Sequence, residues 1–134
     1  MTHENRKRNV AIELERADEA FRSAEALLSL SLSSDSVSRA YYAAFHVLRA
    51  LLISRGLEPK THSGAIQLLN LELIRPGKLS TKCNRLIAGL QRSRELADYD
   101  AVVRFSAEEA RAELQAARDF ELEARALLTA EGWC

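Results

Sequence analysis

Apolar residues along the first quarter of the chain recur with a helical period. From about Glu4 to Leu30, the positions Val10, Leu14, Ala17, Phe21, Ala24 and Leu28 follow one another at alternating steps of four and three. That spacing lays one apolar seam along a helix and directs it at a partner helix. Ser31 to Ser36 breaks the pattern, with four serines in six residues. Ser33, Ser34 or Asp35 is a suitable cap there, because a short side-chain oxygen accepts from the free N–H groups of a helix start. A second helix is expected over Ser36 to Ser54, with Val37, Tyr41, Phe45 (or Ala44), Leu48 and Leu52 on one face. Gly56 ends it.

Pro59 keeps the following link extended, and Thr61 or Ser63 opens a short helix to about Asn70. Arg75-Pro76-Gly77-Lys78 reads as a turn. A further helix is predicted from about Ser80 to Tyr99. Ser106-Ala107-Glu108-Glu109 then forms a capping box, with Ser106 as cap and Glu109 reaching back. The last helix, about Ala107 to Ala130, packs Ala110, Leu114, Ala117, Phe120, Ala124 and Leu127. The pattern predicts an all-α fold: an antiparallel up-and-down bundle of four long helices plus one short helix, forming a single domain over 1–134.

Composition narrows the function. Hydrophobic residues make up 47% and charged residues 28%, a globular rather than a disordered balance. Lys+Arg and Asp+Glu both number 19, which argues against binding nucleic acid by bulk charge and leaves room for a local patch. The run Val47 to Ile53 is interrupted by Arg49 and is far too short to span a bilayer. The basic start has no apolar stretch behind it, so no signal peptide is read. Cys83 and Cys134 make no metal spacing or disulfide framework, which points to a reducing cytoplasm. No zinc spacing, Gly-rich phosphate loop or nucleophile elbow is present, and no metal or cofactor is expected.

Three clusters carry candidate chemistry. Arg39 and His46 lie seven residues apart on nearly one helix face, with Tyr42 between them and Arg49 one turn on. Such a pair suits phosphate binding and proton transfer, as metal-independent RNA cleavage requires. The plainer reading is structural, with Arg39 pairing a carboxylate on the Ser80–Tyr99 helix. The second cluster is Arg92-Ser93-Arg94-Glu95-Leu96-Ala97-Asp98-Tyr99-Asp100. Arg94 and Asp98 have the spacing of a within-helix ion pair, and Arg92, Arg94 and Tyr99 also suit a phosphate or a flipped base. The third, Lys60-Thr61-His62-Ser63-Gly64, opens the short helix, where capping is the ordinary role and His62 is available to a nearby site.

Taken together and in order, Ser38-Arg39-x-Tyr41-Tyr42-Ala43-x-Phe45-His46, Lys60-Thr61-His62-Ser63-Gly64 and Arg94-x-x-Ala97-Asp98-Tyr99 resemble the HEPN superfamily, in its small stand-alone prokaryotic branch. The resemblance covers nearly the whole chain. It implies an up-and-down bundle that dimerises and pairs with a minimal nucleotidyltransferase, commonly in toxin–antitoxin modules, and that contacts RNA or nucleotide. Many members are metal-independent RNase toxins, in which the arginine and histidine of an R-x4–6-H motif on a late helix meet across a dimer. In some modules the nucleotidyltransferase adds AMP to a tyrosine just after that histidine, which places the modification on Tyr99. Here the chain departs from the pattern, since Asp98 stands where the motif has histidine. A carboxylate does not supply an imidazole's proton transfer near neutral pH, and its charge repels a phosphate. The chain's own R-x6-H match runs from Arg39 to His46 on the second helix. The resemblance therefore implies first a nucleotidyltransferase partner that binds nucleotide or RNA phosphate through Tyr42, His62, Arg92 and Asp98. An RNase using Arg39, His46 and Arg94, or a purely structural dimer, are the alternatives.

Overall fold

The computed structural model describes residues 2–134. It contains α1 (His3–Ser29), α2 (Ser33–Ser54), α3 (His62–Leu69), a π-helical turn (Asn70–Ile74), α4 (Lys82–Tyr99) and α5 (Ala107–Ala130). No strand occurs among the described residues. Cross-helix contacts fix the directions. The start of α1 meets the end of α2 through Arg6 and the Ser54 carbonyl, and the end of α1 meets the start of α2 through Ala24 and Ser36. Ser38 on early α2 reaches Asp98 on late α4, Ser93 reaches Glu113, and Asp18 meets Arg125. The four long helices therefore alternate up and down, as the sequence pattern implies.

The seams follow the apolar spacing. Val10, Leu14, Ala17, Phe21 and Ala24 of α1 are buried, as are Ala110, Ala117, Phe120 and Ala124 of α5. On α5 the fully buried leucine is Leu128, while Leu127, the one expected from the spacing, is only partly buried. α2 is wrapped on nearly every side, and Val37, Ala40, Tyr41, Ala43, Ala44, Val47, Leu48, Ala50, Leu51 and Leu52 all have no exposed surface. Its alanines remove side-chain bulk where neighbouring helices approach.

The helix ends show where local chemistry decides the chain path. Ser106 accepts from the Glu109 N–H at 3.0 Å and Glu109 accepts from the Ser106 N–H at 2.9 Å, which is the expected capping box. Gly56 has φ 75°, a left-handed conformation that ends α2 while the Leu57 N–H bonds the Leu52 carbonyl. α1 ends the same way without glycine: Ser31 adopts φ 64° and the Leu32 N–H returns to the Leu27 carbonyl. This tight stop brings α2 in at Ser33, three residues earlier than the serine run suggests. Ser33 to Asp35 then form its first turn, no side chain caps it, and the carboxylate of Asp35 suits the helix dipole there.

Ser36, fully buried at the α1–α2 crossing, donates its hydroxyl to the Ala24 carbonyl at 2.7 Å. Ser36→Ala should cost about 1 kcal/mol and lower Tm by about 3–5 °C. A thermal melt matching wild type would show that this bond adds nothing to the seam.

Candidate functional site

Arg94 is the most deeply placed cation of the bundle, with 8% of its surface exposed near the end of α4. Burying a guanidinium is costly unless its charge is met. Three tyrosine rings meet it: its central carbon lies 5.0 Å from the Tyr41 ring centre, 5.7 Å from Tyr42 and 5.9 Å from Tyr99. Ring faces are electron-rich, so each attracts the cation. Asp98, one turn along α4, stands 3.9 Å away, and an Arg94 N–H donates to the Tyr99 hydroxyl at 3.4 Å. Burial opposes the guanidinium's charge, but Tyr42, Tyr41, Tyr99 and Asp98 reverse that effect and hold it firmly ionised. The Arg94 Nε–H finds no partner among the described residues. Donors thus outnumber acceptors around this guanidinium, whose Nε is itself screened from solvent.

α2 supplies the wall behind Arg94. Ser38 donates a hydrogen bond to Asp98, and Arg39 lies over the Tyr42 ring at 4.7 Å. The sequence suggested that Arg39 would pair a carboxylate on α4. Ser38 makes that cross-helix link instead, and no carboxylate among the described residues lies within 4 Å of Arg39. Tyr41 is fully buried, and burial pushes its phenol up to about 12.

The first residue of α3 completes the cluster. Thr61 caps this helix by accepting from the Gly64 N–H at 2.9 Å, which leaves the next side chain, His62, facing α2. The imidazole stacks on Phe45 with ring centres 4.1 Å apart, and its Nδ1 meets the Tyr41 hydroxyl at 2.5 Å. Burial, Arg94 and Arg49 all act to keep His62 neutral, lowering its pKa from the ordinary value. On the solvent side of the cluster, Arg92, Arg94, Glu95, Tyr99 and Asp100 line an open groove of about 820 Å³. Tyr99 stands at its lip, 77% exposed.

The structure therefore gathers Arg94, Tyr42, Asp98, Tyr99 and His62, and Arg92 lines the same groove. His46 belongs to a different cluster. Its Nδ1 meets Glu13 of α1 at 2.7 Å, and the other Glu13 oxygen receives Arg49 Nε at 3.2 Å. Burial alone would raise the Glu13 carboxyl, but the His46 hydrogen bond and the Arg49 charge outweigh it and hold the pKa below the ordinary value. Two residues of these clusters escaped the reading of the sequence. Tyr41 reads as an apolar face residue, and only the position of α3 reveals its hydroxyl's partner. Glu13 did leave a signal, a carboxylate three residues after Val10 and beside Leu14, inside the apolar seam of α1.

Comparison with known proteins agrees with the architecture. The model of the HEPN domain matches residues 11–127. A Methanocaldococcus jannaschii protein named "Putative toxin MJ0142" is 32% identical over 104 residues, covering 78% of this chain and 71% of that protein. A second protein of that organism, carrying the same printed description with the designation MJ0605, is 37% identical over 86 residues, 64% of each chain. A UPF0332 protein of Thermotoga maritima is 30% identical over 105 residues, covering 78% of this chain and 80% of that protein.

Proposed function

The chain belongs to the HEPN domain family, and from that membership we propose that it is the toxin-type component of a two-component module. Its partner in this reading is a minimal nucleotidyltransferase, and its Arg94 site binds nucleotide or RNA phosphate. The observation that carries the reading is the geometry at the groove: a caged, permanently charged guanidinium in its lining, and the exposed Tyr99 hydroxyl 3.4 Å from it. The toxin names of two relatives support the module class. Leu96, Tyr99 and Val102 expose large apolar surface beside the groove, with Val102 88% exposed, which suits contact with another protein.

A tyrosine at this position meets the needs of nucleotide transfer. Its oxygen attacks the α-phosphorus of a nucleoside triphosphate, a phosphodiester forms, pyrophosphate leaves and the phenol proton is lost to solvent. Arg94 then lies within reach of the new phosphodiester and offsets its charge. No helix among the described residues is long and apolar enough to cross a membrane.

The test is affinity purification from the native host, followed by intact-mass analysis and peptide mapping. A co-purifying nucleotidyltransferase, with an AMP-sized increment on Tyr99 that disappears in Tyr99→Phe, is the expected result. Recovery of the unmodified chain with no nucleotidyltransferase would reject the two-component reading.

A further inference from the structure

The first turn of α3 is seated by few contacts, and one of them depends on a proton. Within α3 only Ala65 and Leu69 are buried, and Leu73 anchors the π-helical turn that follows. The start of the helix is pinned by His62, whose imidazole stacks on Phe45 and whose Nδ1 meets the Tyr41 hydroxyl at 2.5 Å. Tyr41 is fully buried and its hydroxyl keeps its proton at neutral pH. That proton needs an acceptor, since a buried donor without one is costly. Arg94, beside the Tyr41 ring, offers only donors. The acceptor is therefore His62 Nδ1, which accepts only while the imidazole is neutral.

We propose that His62 is an acid-sensitive latch for the first turn of α3. Neutral, it seats that turn on α2 through Tyr41 and Phe45. Protonated, it loses the Tyr41 bond, and the turn swings away about the buried Leu69 and Leu73. The Tyr41 hydroxyl then gains water, so the wall behind Arg94 is complete only while α3 is seated. This holds whatever the groove binds. The charged and titratable groups facing His62 are Tyr41, Tyr42 and Arg49 from α2 and Arg94 from α4, and the rest of α3 carries none. The two phenols are neutral at physiological pH, and both guanidiniums oppose a charged imidazole. The N-terminus of α3 opposes it as well, because free backbone N–H groups concentrate positive charge there. Unlike His46, which meets Glu13, His62 has no carboxylate beside it among the described residues.

The direction of the pH dependence follows from proton binding. Burial, Arg94 and Arg49 hold seated His62 below its ordinary 6.5, and release returns it to that value. The latch therefore holds fully above about pH 6.5 and weakens as the pH falls below it, until the seated-state value is passed. Hydrogen exchange of the whole chain, read by NMR as protection factors at successive pH values, tests this. A protection factor already removes the intrinsic pH dependence of exchange. The amides of residues 65–68 should be less protected than those of α5 at neutrality. They should lose up to about a further tenfold for each pH unit below the ordinary histidine value. His62→Asn, whose Oδ1 stands near the Nδ1 position and accepts without titrating, should keep the turn seated in acid. Tyr41→Phe should lower protection at neutrality and shrink the acid step. Protection of these amides that does not change with pH, or an acid loss that persists in His62→Asn, would overturn the proposal. So would exchange of α3 only together with α5, which would show that the turn never opens alone.

Discussion

Glu13→Ala should destabilise the bundle by about 3 kcal/mol, a large share of the stability of a domain this size. Only 4% of Glu13 is exposed, and both of its oxygens are engaged by groups of another helix, His46 and Arg49. Removing the carboxylate strands those two donors and leaves a void in the α1 seam between Val10 and Ala17. The cost stays below the upper end for a broken buried pair, because the Arg49 side chain is 38% exposed and regains water. The acid dependence has a definite sign. A carboxyl held below its ordinary 4.5 contributes fully above that value and loses its contribution as pH falls through the folded-state value. The gap between wild type and Glu13→Ala in urea melts should therefore be widest near neutrality and shrink below about pH 4.5. A gap under about 1 kcal/mol, or one unchanged in acid, would show that Glu13 behaves as a surface residue.

How much of this was legible in the sequence depends on whether the feature is local. The seam of α1, the Ser106–Glu109 box and the stop at Gly56 lie within a few residues of chain, and the spacing announces them. Arg94, Asp98 and Tyr99 share one helix, so their proximity follows from helical geometry. The start of α2 was misplaced because the left-handed residue is Ser31, where glycine would have given a plain signal. The π-helical turn at Asn70–Ile74 left no sequence mark that we can identify. The larger gap concerns the polar residues of α2. Because that helix is wrapped by neighbours, a polar side chain on it faces whichever helix packs beside it, and periodicity does not say which. His46 and Tyr41 lie five residues apart, yet one meets α1 and the other meets α3 and α4. The Arg39–His46 spacing was real, but spacing on a helix is not the same as a shared partner.

Arg94→Lys should weaken binding of a deoxyadenosine dinucleotide, a probe with one phosphodiester and no hydroxyl for self-cleavage, by roughly 30- to 100-fold, or about 2–3 kcal/mol, while the bundle still folds. Lysine keeps the charge, so an effect of this size isolates what the guanidinium adds. A planar fork lies flat against several rings and still directs N–H groups outward, whereas an ammonium is a point charge that demands hydration. In this cage the side chain is only 10% exposed and is bordered by three rings, so a lysine would have to shed its water or withdraw toward Asp98. Calorimetric titration of the dinucleotide, beside a thermal melt of the same preparation, separates lost binding from lost folding. Wild-type affinity in the lysine variant would mean that net charge near the groove is all the site uses. Lost affinity with an intact melt would instead make the tyrosine cage the feature that selects the ligand.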